Sequence, residues 1–192
     1  MNTPAHLLIG TAIFGRGGGP KRAAAAMVGA LLPDLSLYVM GSVAHFYLGI
    51  PRQVVFDELY YSPAWQTVFA IDNSFFVWGA LCACALLSKR PWAVALTASA
   101  LCHLCLDFPL HHDDGRPHFW PLSGWVFESP FSYWDRRQGA FWVAPIEAAA
   151  SVVAAIAIWR ARLGPWISGL TVLLVAAEFW IVRQWMFFFI DG

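Results

Sequence analysis

Charge is scarce in this chain. Of its 192 residues only 12% are Asp, Glu, Lys or Arg, whereas 59% are hydrophobic. That is about half the charged fraction of an ordinary soluble domain, so water is excluded as the main solvent. A glycine loop followed by Lys-Ser/Thr is missing, as is a Ser-centred nucleophile elbow, which argues against P-loop and α/β-hydrolase chemistry. No basic patch suits nucleic acid, and no nucleic-acid partner is expected. The N-terminus has neither the basic n-region nor the cleavage site of a secretory signal, so the first apolar segment is expected to stay in the mature protein. Cysteine is limited to Cys82, Cys84, Cys102 and Cys105, all within apolar runs. They are expected to act as small core hydrophobes, since a redox Cys-x-x-Cys wants a soluble βαβ context.

What the chain does have is apolar blocks, each near the roughly 20 residues a helix needs to cross about 30 Å of hydrocarbon. They predict an all-α, polytopic transmembrane helical bundle of about six segments. The first is short, from Thr3 to Gly15, and the others run from Ala23 to Gly49, Ala64 to Leu87, Trp92 to Phe108, Ala140 to Trp159 and Trp166 to Phe189. Pro33 is expected to kink the second. A polar, aromatic loop over 109–138 is the only long connection, so residues 1–192 are expected to form a single integral membrane domain. If the segments alternate, one side receives Arg16, Lys21, Arg22, Lys89, Arg90, Arg160 and Arg162 without one acidic residue. The positive-inside rule makes that side cytoplasmic, which predicts a multi-pass protein of a bacterial inner (plasma) membrane with the 109–138 loop in the periplasm. Eleven tryptophans, many near span ends, fit an interfacial belt.

Counting along the helices from the basic turns places His6, Asp34, Asp72 and His103 about 15 to 25 Å above that side, with Asp107 one turn higher and Glu147 and Glu178 at similar depth. Ionisable groups inside spans are costly and are functional candidates by default. His103 and Asp107 are four apart, hence on one helix face, where they can share an ion or a hydrogen bond. With His6 and Asp34 from two other helices, they form a candidate site for a divalent metal ion, zinc, manganese or iron. In the loop, His111, His112 and His118 with Asp113 and Asp114 are further candidates, His111 and His112 lying closest to Asp107. Asp72 is read as ligand, proton carrier or hydrogen-bond partner; Glu147 and Glu178 are read as hydrogen-bond partners, Glu178 with Arg183. His45 is expected at the interface.

These residues resemble the YdjM-like group of bacterial inner-membrane metal-dependent hydrolases. "PAHLLIG" matches its opening histidine segment through His6, "LLPDLS" its Leu-Pro-Asp-x-Asp motif through Asp34, and "HLCLD" its His-x-x-x-Asp element through His103 and Asp107. "WPLS" and "SPFS" resemble the loop that follows. The chain departs at Ser36, where a second aspartate is expected, and at "FAIDNSFF", where Asn73 replaces a histidine and an arginine is missing. The resemblance implies a membrane-embedded hydrolase of phosphoesters, with one or two divalent ions on His6, Asp34, His103 and Asp107. It implies a general base at Asp72 or a loop histidine, His111 or His112, and an anionic head group held by Arg116, Arg136 or Arg137, with Asn73 at the substrate. A lipid or lipid-linked phosphate is then the expected substrate in the bilayer. Two other readings fit the residues: a non-catalytic subunit of a larger membrane complex, which would purify as an assembly, and a small transporter relaying protons, whose flux would follow the proton gradient.

Overall fold

Prolines punctuate the chain. Pro4, Pro20, Pro63 and Pro91 stand in the first turn of their helices and Pro165 begins another, positions where a missing N–H costs nothing and the fixed φ already suits a helix. The computed structural model describes residues 1–187; among them there is no strand. The helices are α1 (Thr3–Phe14), α2 (Gly19–Ser42, continued by a π-helical turn, Val43–Tyr47), α3 (Arg52–Val54, with a second such turn, Val55–Leu59), α4 (Pro63–Asp72), α5 (Phe75–Leu87), α6 (Pro91–Asp107), α7 (Ala140–Arg160) and α8 (Pro165–Phe187). The expected end of the last segment at Phe189 lies outside the described residues.

Among the described residues, four stretches are long and apolar enough to cross a membrane: Gly19–Tyr47, Pro63–Leu87, Ala140–Arg160 and Pro165–Gln184. Thr3–Phe14 and Pro91–Asp107 are apolar but shorter. The expected six segments are thus four long and two short. Large apolar side chains such as Phe46, Leu87, Trp142, Val153 and Leu173 face outward, as lipid contact requires and water would not tolerate.

The segment expected to be continuous from Ala64 to Leu87 is two helices. α4 ends at Asp72, and Ser74 caps α5 by accepting from the N–H groups of Phe76 and Val77. The free backbone here is met from the long loop: the N–H of Phe75 donates to the carbonyl of His118 at 2.9 Å, and the hydroxyl of Ser74 to that of Trp120. Non-helical backbone at such depth survives only when protein covers it, and residues 118–120 are that cover. Phe75, Phe108, Phe119 and the His118 ring pack together beneath the loop.

Short as it is, α1 is central, packed against α2, α6, α7 and α8. Its apolar contacts at the basic end run through Leu8 and Ala12 to Ala23, Ala154, Ile158, Leu163 and Ile167. Higher up, glycines set the spacing. A Cβ at Gly29 of α2 would overlap the backbone carbonyl of Leu96 in α6, and one at Gly10 of α1 would overlap the Ser99 hydroxyl of α6. Only hydrogen at these two positions lets α1, α2 and α6 approach backbone to backbone. That approach fixes what happens one turn further along each helix.

The cysteines differ from expectation. Cys82 and Cys102 are half-buried and Cys84 and Cys105 exposed, because their helix faces point away from the bundle axis.

Candidate metal centre

One turn beyond Gly10 and Gly29, the tight packing brings two imidazoles into contact. The rings of His6 and His103 stack with centroids 3.7 Å apart and planes 12° from parallel. Both are 1% exposed. Asp107, one turn after His103 and 6% exposed, faces both: its Oδ1 is 2.8 Å from His6 Nε2 and its Oδ2 is 3.1 Å from His103 Nε2. The Met1 ammonium nitrogen lies 2.6 Å from the same Oδ1.

The backbone of α2 decides which nitrogen His103 presents. His103 Nδ1 lies 2.7 Å from the carbonyl of Ala30, and a carbonyl can only accept. Nδ1 therefore carries the hydrogen, and the neutral ring turns a bare lone pair at Nε2 toward the carboxylate. Pro33, inside α2, supports this geometry by withholding its N–H from the carbonyl of Gly29 and opening the ladder beside Ala30. His103 Nε2 makes no hydrogen bond despite its two carboxylate neighbours, Asp107 and Asp34, the latter with Oδ1 at 3.6 Å. A lone pair facing carboxylate oxygens in a buried site is repulsive unless a proton or a metal cation stands between them. His6 Nδ1 is likewise buried with no hydrogen-bond partner among the described residues.

Asp34 comes from α2 and is held from the other side. The Thr3 hydroxyl donates to its Oδ2 at 2.7 Å and, its proton spent, accepts from Tyr38 at 2.7 Å. The loop supplies a third imidazole: His111 Nε2 is 3.4 Å from Asp107 Oδ2, while its Nδ1 is 3.0 Å from Asp114 Oδ1. Burial alone would lower the His111 pKa, but the charge of Asp107 and the hydrogen bonds to Asp107 and Asp114 outweigh it and the net shift is upward. Asp114 is shifted the opposite way: burial would raise it, but His111 and the Trp134 indole N–H, 3.1 Å from its Oδ2, bring it below the usual carboxylate range. The loop is pinned over the site by Ser129, whose N–H donates to the carbonyl of His111 at 2.9 Å, and by the N–H of Tyr133, which donates to that of Leu110 at 3.1 Å.

One ring nitrogen of His6, one of His103 and a carboxylate oxygen of Asp107 all lie within 4.8 Å of one another, a grouping that can hold a metal ion. Two ligand atoms on one tetrahedral ion are about 3.3 Å apart when each bond is about 2.0 to 2.1 Å long. The observed separations bracket that value: 2.8, 3.1 and 3.4 Å from Asp107 to His6, His103 and His111, and 3.6 Å from His103 to Asp34. The donor set of imidazole nitrogen and carboxylate oxygen suits zinc, manganese or iron.

The remaining candidates fall elsewhere. His112 turns away, its Nδ1 donating to the carbonyl of Ser129 at 2.7 Å. Asp72 is half-buried beside Ser36, the position where the family resemblance expects a second aspartate, and its backbone carbonyl accepts the Trp78 indole N–H at 2.6 Å. Asn73 is buried and structural, its amide donating to the carbonyls of Phe69 and Pro33 at 3.0 and 3.3 Å. Arg116 sits between the rings of Tyr60 and Phe69, 4.8 and 4.3 Å from their centroids. Burial pushes the Tyr60 hydroxyl up to about 12, against the opposing charge of Arg116. Arg137 is exposed and paired with Asp135 at 3.2 Å, and Arg136 makes no ion pair. His118 is buried under the loop, its Nδ1 donating to the carbonyl of Arg116 at 2.8 Å, and burial lowers its pKa to about 4.

Sequence reasoning missed Asn2. Its backbone N–H donates to Glu147 of α7, and its amide to Glu178 of α8 at 3.4 Å, so both buried acids reach the start of α1. The expected Glu178–Arg183 pairing is replaced: Glu178 is fully buried on the Asn2 side, whereas exposed Arg183 lies over the Trp180 ring. It also missed the Thr3–Tyr38 support of Asp34.

No family model matches the chain, and no curated protein or solved structure is similar to it.

Proposed function

We propose that the chain is a membrane-embedded, metal-dependent hydrolase acting on a phosphoester of a lipid or lipid-linked substrate, in a bacterial inner membrane with its centre toward the periplasm. The observation that carries this reading is the buried His6–His103–Asp107 group, in which the Ala30 carbonyl fixes His103 as an Nε2 ligand facing a carboxylate. His6, His103 and Asp107, with Asp34 in reach, would hold the ion. When bound, such an ion lowers the pKa of a water and polarises the ester.

The chain's own residues supply the rest. His111, bridging Asp107 and Asp114, is placed to move a proton between the centre and the loop. Thr3 and Tyr38 keep Asp34 oriented. Arg116, pressed between two aromatic rings with no carboxylate ion pair, offers its guanidinium to a phosphate. Asp72 is half-buried and apart from the His–Asp group, which favours His111 over Asp72 as the general base.

The test is metal content by mass spectrometry on the purified protein beside a His103→Ala, Asp107→Ala variant. About one zinc, manganese or iron per chain, lost in the variant, supports the reading and directs screening to phospholipids and polyprenyl phosphates. Metal absent from both leaves a non-catalytic subunit, to be sought in a larger complex.

A further inference from the structure

At the end of the bundle opposite the His–Asp centre, seven cations, Arg16, Lys21, Arg22, Lys89, Arg90, Arg160 and Arg162, occupy the helix ends and turns with no acidic residue among them. Arg22 is turned inward, its Nε donating to the carbonyl of Phe14 at 2.7 Å. Arg16 and Arg160 are exposed and make no ion pair among the described residues. Each lines a groove. One, of about 420 Å³, runs between α7 and α8 over Val152, Ala155, Trp159, Thr171 and Val175, with Arg160 at its end. The other, of about 540 Å³, lies on the far side of α7, where Arg16 and Arg160 face across Val153 and Ala157. Ile156 and Arg160 line both, so they form the ridge between the two grooves.

The shape and the charge together describe one kind of occupant. The α7–α8 groove is apolar, about 12 Å long from Val152 to Arg160, and points toward the same guanidinium as its neighbour. Among the described residues no carboxylate pairs with Arg16 or Arg160, which leaves that end open to an anion from outside the chain. Basic pockets between membrane helices on the positive side of a protein take anionic lipid head groups. We propose that Arg16 and Arg160 bind the phosphate of an anionic phospholipid whose acyl chains lie on either side of the Ile156–Arg160 ridge. The site is separate from the His–Asp centre and does not depend on hydrolysis there. A third groove, between α5 and α6, ends in Arg90, with Lys21 over its Trp92 and no second arginine, and serves as the one-guanidinium control.

The experiment is native mass spectrometry of the full chain released from mild detergent containing equal phosphatidylglycerol and phosphatidylcholine of the same acyl composition. Wild type is expected to retain a single phosphatidylglycerol with a preference of about tenfold or more, the ratio two guanidinium–phosphate contacts give over none. Arg16→Gln and Arg160→Gln, singly and together, are expected to reduce that preference stepwise, and Arg90→Gln to leave it. The single variants keep the test open if the double variant does not fold. Equal retention of both lipids by wild type overturns the proposal, as does a preference that survives in the arginine variants or falls equally in Arg90→Gln. A lipid-free dimer also overturns it, since a second copy would then fill the groove.

Discussion

Two helix interfaces in this molecule are built to opposite specifications. Where α1, α2 and α6 meet, Gly10 and Gly29 bring backbone against backbone, and the reward is a stacked pair of imidazoles facing one carboxylate. Where α7 and α8 face outward, Val152, Ala155, Ile156, Trp159, Val172 and Val175 line a groove of about 420 Å³. The chain uses its smallest side chains where the His6, His103 and Asp107 atoms converge, and leaves an open groove between α7 and α8. Rigidity is a local choice here, made residue by residue.

The comparison breaks most completely at Gly29. Gly29→Val drives two methyl groups into the Leu96 carbonyl, and a loss of about 3 kcal/mol or more is expected, together with loss of bound metal as His103 leaves the Ala30 carbonyl. Thermal unfolding in detergent and metal analysis check both; a variant that stays as stable and as metal-loaded as wild type would show that the interface is not tight.

Acid reaches the loop that seals this side. His118 is neutral in the fold with a pKa lowered to about 4 by burial, against about 6.5 when unfolded. The unfolded chain therefore binds the extra proton first: the contribution is complete above pH 6.5 and is lost as pH falls toward 4, by up to about 3 kcal/mol. Denaturation at pH 7.5 and 4.5 should show a fall in wild type that His118→Phe reduces. An equal fall in both would place the acid sensitivity elsewhere.

A gentler change sharpens the picture. Thr3→Val keeps the shape but removes the donor to Asp34, with an expected loss of about 1 kcal/mol and weaker metal retention, while the His6–His103 stack stays in place. Titration with a chelator, compared with wild type, reads this. The smallest effect belongs to the loose interface, where Ala155→Leu in the α7–α8 groove should change stability by no more than about 0.5 kcal/mol. A large loss there would mean that the groove is as tightly determined as the α2–α6 contact.

Much of this architecture was legible in the sequence because length and hydropathy are local properties. The helices begin and end within a few residues of the apolar runs, and helix rise alone put His6, Asp34 and His103 at a common depth. The break at Asn73–Ser74 was not legible: it depends on carbonyls of His118 and Trp120, more than 40 residues away, arriving to complete the hydrogen bonds. Choosing between His111 and His112 needed one available clue, that His111 continues the four-residue spacing of His103 and Asp107 and so returns to their face. The roles of Gly10 and Gly29 had no such signal, since a helical glycine reveals its purpose only when the neighbouring helix is in place.

The unequal helix lengths carry a mechanical consequence. α1 rises about 18 Å and α6 about 25 Å, against about 31 and 34 Å for α7 and α8. All four have an end at the basic side, so the whole deficit appears at the other, where α1 and α6 carry His6, His103 and Asp107. The longer α2, α7 and α8 packed around α1 continue past its start, and the space that the short helices leave is where the 109–138 loop brings His111 and Asp114 to Asp107. The deficit in length is therefore filled by protein, and it gives a loop side chain access to ligand atoms that two helices carry.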